Sequence, residues 1–159
     1  MRGHAERNRQ DAVLPAGFTP PREGATRLRV RYSECDPMNV AHHGAYPAWL
    51  ELGRTELLRA GGVSYAQLEH AGVFLVVTRL EVRYRRPVLY DDVIEVRTRV
   101  KAAGRVKIDH EYEVVVVERG GSVREEVCAV ASTTIACVDR DGRVRELPAW
   151  LAGVPASAT

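Results

Sequence analysis

Cysteine is scarce in this chain of 159 residues: three copies, Cys35, Cys128 and Cys137, none in C-x-x-C spacing. That excludes a disulfide framework and argues against a zinc ribbon or a thioredoxin-type redox pair. Long apolar runs are missing too. No window approaches the roughly 18 uninterrupted apolar residues of a membrane-spanning helix, so no span is expected. The first ten residues carry Arg2, Arg7 and Arg9 among polar neighbours. No secretion signal is indicated, and a reducing cytoplasm is the expected setting. Charge of one sign is also lacking: 23 basic against 21 acidic residues leave a formal net charge of +2, too little to point to nucleic acid. Lysine occurs only at Lys101 and Lys107, so the remaining basic residues are arginine. They are scattered, which reads as compositional bias rather than a binding patch.

What remains is the composition of one globular domain, 45% hydrophobic and 28% charged, long enough to bury one core. Residues 1–25 read as a flexible N-terminal tail, polar and punctuated by Pro15, Gly17, Pro20, Pro21 and Gly24. The domain is expected over 26–145, with a C-terminal extension over 146–159. From Thr26, Leu28, Val30 and Tyr32 alternate with Arg27, Arg29 and Arg31, the mark of a half-buried strand. Residues 33–43 break that period around Asp36-Pro37 and form a loop. Over 44–60 the period becomes helical, with Tyr46, Trp49, Leu50, Gly53 and Leu57 on one stripe. Gly61-Gly62 ends this helix. Ser64 caps a short second helix that runs to His70 and stops at Gly72.

Strands follow: Val73–Tyr84, Val93–Lys101, Lys107–Arg119 and Ser122–Val138. The short connections 102–105 and 120–121 predict antiparallel hairpins. One long helix against five strands predicts an α+β domain with the helix packed on one sheet face. The apolar run Val114–Val117 and the long strand Val127–Val138 carry more hydrophobic surface than one helix is expected to cover. This points to a homodimer or a dimer of dimers.

The chemistry-bearing stretch joins the first strand to the long helix. Within residues 31–46 it holds Tyr32, Asp36, His42, His43 and Tyr46. A helix start offers unpaired N–H donors and a partial positive charge, and such donors can hold an oxyanion. Asp36 beside them could act as nucleophile or base on a carbonyl carbon. The plainer reading also stands: an aspartate before a proline is a common turn residue, and the histidines could be loop or cap residues. A metal reading of Cys35, Asp36, His42 and His43 lacks a second ligand cluster elsewhere in the chain.

The pattern Tyr32-x-x-x-Asp36-x-Met38-x-Val40-x-His42-His43-x-x-Tyr46-x-x-Trp49-x-Glu51-x-x-Arg54 resembles the signature of hot-dog fold acyl-CoA thioesterases. The nearest branch is the 4-hydroxybenzoyl-CoA thioesterase-like family, which includes the Tol-Pal-associated thioesterase. The likeness continues through Gly72, Tyr84-Arg85-Arg86-Pro87 and Asp91-Asp92, and covers about residues 27–138. It implies a hot-dog fold, a long central helix wrapped by a curved five-stranded antiparallel sheet, and hydrolysis of an acyl-CoA thioester without a metal or organic cofactor. It carries the catalytic aspartate onto Asp36, the active-site histidine onto His43 and a site tyrosine onto Tyr32. It also implies that a backbone N–H at His43 or Gly44 polarises the thioester carbonyl. His42, Gly44, Arg85 and Arg86 become candidates for substrate binding, the arginines through the phosphates of coenzyme A. The family often has glycine where this chain has Asn39, a residue that tolerates the left-handed conformation. Glu51, on the helix, reads as a surface residue or one that supports the site from behind, rather than the helix-borne glutamate of another hot-dog branch. Two other functions fit the same residues, a thioesterase acting on acyl carrier protein and a non-hydrolytic acyl-CoA-binding protein.

Overall fold

The computed structural model describes residues 20–153. The expected tail therefore lies outside the described residues up to residue 19, as do the last six residues of the C-terminal extension. Strand β1 spans Glu23–Arg29, so the sheet begins three residues before the predicted domain boundary. β1 also ends sooner than the alternation suggests. Val30 is buried, but Tyr32 is not a strand residue and opens a 3-10 turn, Tyr32–Glu34. The bonds of Glu34 described below stabilise this turn over a continued strand.

Helix α1 spans Tyr46–Ala60 and follows a 3-10 turn, His43–Ala45. All five predicted stripe residues are buried. Gly53 lies close against the sheet: a Cβ there would lie 2.5 Å from Thr98 Oγ1 and 2.9 Å from Val96 Cγ1. Gly62, with φ 91°, supplies the left-handed residue after the helix that side chains resist. Helix α2, Tyr65–His70, starts with the predicted Ser64 cap. Gln67 N–H donates to Ser64 Oγ, and Gln67 Oε1 accepts from Ser64 N–H, a reciprocal capping box.

The remaining strands are β2 (Phe74–Tyr84), β3 (Val93–Ala103), β4 (Lys107–Arg119) and β5 (Ser122–Val138). They and β1 form one sheet in the order β1-β3-β4-β5-β2, antiparallel at every pairing. In β3 the predicted alternation holds: Ile94, Val96 and Thr98 are buried, on the face that α1 covers. Glu95, Arg97 and Arg99 alternate with them. These link to Arg27, Glu125 and Glu111 in ion pairs, so that face is mixed in charge and solvated.

Two apolar clusters fill the space between helices and sheet. One surrounds Tyr46, Trp49 and Leu50 and includes Val30, Val88, Val114 and Ala129. The other holds Leu58, Val63, Leu68, Ile108, Ile135 and Leu147, so the start of the C-terminal extension packs into the core. Arg54, Thr98, His110 and Thr133 belong to neither cluster. Tyr112 and Thr133 share a hydrogen bond of 2.8 Å between their hydroxyls. Arg54 Nε, Thr98 Oγ1 and His110 Nδ1 are buried without a hydrogen-bond partner among the described residues. Burial, together with the nearby Arg54 charge, pushes the His110 imidazole down to about 4, so it is neutral at pH 7.

The surface expected to drive oligomerisation is not where the sequence places it. Val114–Val117 is entirely buried within one chain. The open apolar surface is instead on the edge strand β2, where Val76 (41%), Val77 (47%) and Leu80 (42%) are exposed.

Candidate active site

The loop between β1 and α1 is a small hairpin. His42 N–H donates to Glu34 O (2.7 Å) and Asp36 N–H to Val40 O (2.9 Å), with Cys35 bridged to Ala41 between them. Asn39 N–H closes the tip on Asp36 O (2.9 Å). Pro37 occupies the second turn position, which its fixed φ suits. Asn39 is left-handed with φ 64°, as expected of a residue standing in for glycine. This pairing explains how residues six and seven positions after Asp36 return towards it.

Asp36 sits at the tip and serves the turn. Its Oδ1 accepts from Met38 N–H (2.9 Å) and Val40 N–H (3.3 Å). No donor among the described residues reaches Oδ2. The turn role and a chemical role therefore use different oxygens of one carboxylate.

His42 and His43 stack with ring centroids 4.0 Å apart. His42 Nδ1 accepts from Gly44 N–H (3.0 Å), so His42 caps the 3-10 turn. That bond occupies one of the two N–H groups the resemblance offered for polarising a carbonyl. The other, His43 N–H, is the first of its turn and has no intrahelical acceptor. The His43 carbonyl is also held, by Tyr84 O–H at 3.1 Å. Tyr84 packs edge-on against Tyr46, centroids 4.8 Å apart. Burial pushes the Tyr46 phenol up to about 12, which keeps it protonated and in the core. Tyr32 is 75% exposed and packs edge-on against Tyr90.

The model of the thioesterase-like superfamily matches residues 30–154. The chain belongs to this family. It is 29% identical over 112 residues to the acyl-CoA thioester hydrolase YbgC of Escherichia coli O157:H7, across 70% of this chain and 79% of that protein. Among solved structures it resembles the DHNA-CoA thioesterase from Staphylococcus aureus, with a TM-score of 0.71 and 28% identity over 80% of each chain. It also resembles Slr0204, a 1,4-dihydroxy-2-naphthoyl-CoA thioesterase from Synechocystis, with a TM-score of 0.73 over 83% of this chain and 95% of that one. At 16% identity that likeness is one of fold. The protein is thus a thioester hydrolase of the hot-dog fold, as its helix and five-stranded antiparallel sheet require.

In this thioesterase Arg85 and Arg86 follow the end of β2. Both backbone N–H groups donate to Cys128 O, at 2.8 and 3.0 Å, which fixes where the side chains leave the chain. Arg86 pairs with Glu126 at 3.4 Å. Arg85 is exposed, and no ion pair engages its guanidinium among the described residues. Glu51 is a surface residue, 3.6 Å from Arg54. A concavity on the charged sheet face, lined by Arg83, Arg97, Arg99, Glu81 and Glu111, contains none of the hairpin residues.

Three supports of the hairpin escaped the sequence reading. Glu34, with only 9% of its side chain exposed, accepts from Trp49 Nε1 (3.0 Å), from the Arg31 guanidinium (2.8 Å) and from Arg31 N–H (2.8 Å). Burial alone would raise its carboxyl. The bonds from Arg31 and Trp49 outweigh that and hold it below the usual carboxylate range. Glu34 thereby ties the hairpin to α1. The second support is the Tyr84 bond to His43. The third is the ion pair of buried Asp92 with partly exposed Arg119. The Asp36–His43 spacing carries a signal, but a bond between residues 27 positions apart has none in a single sequence.

Proposed function

We propose that this protein hydrolyses acyl-CoA thioesters to a carboxylate and free coenzyme A, with Asp36 as the reacting carboxylate. The observation that carries this reading is the division of labour at Asp36: Oδ1 is held by two backbone N–H groups and Oδ2 is left open. His43 N–H supplies the donor for the thioester oxygen, where negative charge develops on attack. Oδ2 either attacks the carbonyl carbon and expels coenzyme A as its thiolate, giving a mixed anhydride that water opens, or takes a proton from a water that attacks the carbon and expels the thiolate. Both routes need the carboxylate anion. His43 and Tyr32 line the approach. Arg85, with Arg86 behind it, meets the phosphates of coenzyme A. The names of the similar E. coli and S. aureus proteins, both acting on CoA thioesters, support this substrate class.

The active unit is a homodimer or a dimer of dimers. Among the described residues β2 is an edge strand, paired with β5 alone, and its open valines and leucine are the surface that edge strands normally hide. Tyr84, at the end of β2, holds the His43 carbonyl. A second copy paired along β2 would therefore stand beside the turn that carries His43.

Release of free thiol from a panel of aliphatic and aromatic acyl-CoAs tests the activity. Sedimentation velocity alongside activity over a dilution series tests the assembly. Turnover is expected on at least one acyl-CoA, with loss of activity on dissociation. A folded protein inert on the whole panel refutes the acyl-CoA reading, and a 17.6 kDa monomer with full turnover per chain refutes the shared site.

A further inference from the structure

The Asp36 hairpin is flanked by residues 85–92, which connect β2 to β3. Part of this segment lies along the return arm of the hairpin as a third, short strand. Ala41 N–H donates to Val88 O (2.8 Å), Tyr90 N–H donates to Asn39 O (3.2 Å), and Val40 is bridged to Leu89. Val40 is also one of the two residues whose N–H holds Asp36 Oδ1.

The segment is pinned from beneath by one carboxylate. Asp92 is 1% exposed. Its Oδ2 accepts from Leu89 N–H (2.8 Å), and the Arg119 guanidinium engages both oxygens, Nε to Oδ1 at 2.8 Å and a terminal nitrogen to Oδ2 at 2.7 Å. Arg119 reaches on to Pro87 O (3.2 Å). Asp91 beside it is left-handed with φ 67°, a conformation a non-glycine residue holds only where its surroundings enforce it.

We infer that Asp92 and Arg119 are positioning residues for Asp36: the pair fixes Pro87–Leu89, that segment fixes Asn39–Ala41, and Val40 N–H aims the carboxylate. The inference rests on the hydrolase reading in which Asp36 reacts. The chemistry of the pair supports it. A buried ion pair contributes little net stability compared with apolar residues of the same size. What apolar residues cannot supply is a set of directional bonds to Leu89 N–H and Pro87 O. A bidentate arginine–carboxylate pair supplies them with fixed geometry. Small misplacements of a reacting group are costly to turnover even when substrate still binds.

The test compares Arg119→Met and Arg119→Lys with Leu68→Ala, a control in the distant apolar cluster. Thiol release gives kcat and KM, and hydrogen exchange reports the Met38 and Val40 amides directly. In Arg119→Met, kcat is expected to fall about tenfold or more with KM within about threefold, and both amides to exchange faster. Arg119→Lys, which keeps the charge but loses the fork, falls between wild type and Met. Leu68→Ala lowers the melting temperature and leaves kcat and both amides near wild type. Unchanged kcat and unchanged exchange in Arg119→Met overturn the inference, as does an equal loss of kcat in Leu68→Ala. If Arg119→Met does not fold, exchange and kcat of Arg119→Lys decide. Full turnover in Asp36→Asn would instead refute the hydrolytic assignment of Asp36, while the exchange data still show whether the pair holds the turn.

Discussion

Asp36→Asn separates chemistry from folding. The asparagine amide oxygen can accept from Met38 and Val40 N–H as Asp36 Oδ1 does, so the turn keeps its bonds. The open oxygen becomes an amino group, which neither attacks a carbonyl nor takes up a proton at neutral pH. Loss of a nucleophile or base costs about 100-fold or more in kcat, about 2.7 kcal/mol and above. Asp36→Ala removes the same chemistry and both hydrogen bonds. At about 0.5–1.5 kcal/mol each, reduced at this partly exposed site, their loss should total about 1–2 kcal/mol. For a domain of this size that lowers the melting temperature by roughly 3–8 °C. The two variants should therefore be equally inactive in thiol release and clearly different in a thermal melt. An asparagine variant with more than about a third of wild-type kcat would refute the assignment of Asp36. An alanine variant as stable as asparagine would refute the turn role of Oδ1.

Four further outcomes follow from the structure. His42→Ala removes the acceptor of Gly44 N–H and should cost about 0.5–2 kcal/mol in unfolding free energy, as loss of a cap does; an unchanged melt would mean the cap bond carries no stability. His43→Ala should lower kcat by less than about tenfold, because the backbone N–H acts on the thioester; inactivity equal to that of Asp36→Ala would give the imidazole a proton-transfer role. Gly53→Ala gains up to about 1 kcal/mol in helix propensity but drives a methyl group into Thr98 and Val96, at about 1–3 kcal/mol, so denaturant unfolding should show net destabilisation. For His110, burial and the Arg54 charge hold the folded value at about 4, below the ordinary imidazole value of 6.5, so the unfolded chain binds the extra proton. Its contribution is full above pH 6.5 and is lost as pH falls towards 4, about 2 kcal/mol between pH 7 and pH 5. His110→Asn should remove that part of the slope in urea titrations at the two pH values, and an unaltered slope would contradict a neutral buried imidazole.

Elements whose cause is local were legible in the sequence. The 3.6-residue stripe from Tyr46 to Leu57 gives a buried helix face, the Ser64 cap starts α2, and Gly120-Gly121 turns β4 into β5 within one residue of expectation. The first strand was misjudged at both ends. Its alternation continues through Tyr32, but Glu34 draws Arg31 back into a turn, and side-chain bonds of that kind compete with a strand ladder. That Leu147, in the C-terminal extension, enters the core has no periodic signal to announce it.

The site divides along the same line. The tip of the hairpin was readable because Asp36-Pro37 and Asn39 are turn residues for local reasons, and because the histidines stand at a helix start. Its rigidity was not, because it comes from partners distant in the chain: Trp49 on Glu34, Tyr84 on His43, and Arg119 on Asp92. Arginine is so frequent here that composition cannot mark Arg119 as different from Arg99 or Arg27, whose ion pairs lie on the solvated sheet face. What distinguishes Arg119 is the 1% exposure of its carboxylate partner and the backbone oxygen it reaches beyond it. Solvated pairs in the sheet contribute little individually, whereas a pair whose carboxylate is buried and that also carries main-chain bonds sets the position of a loop. The same physical type of contact thus does different things in two places, and burial, which only the fold creates, decides which.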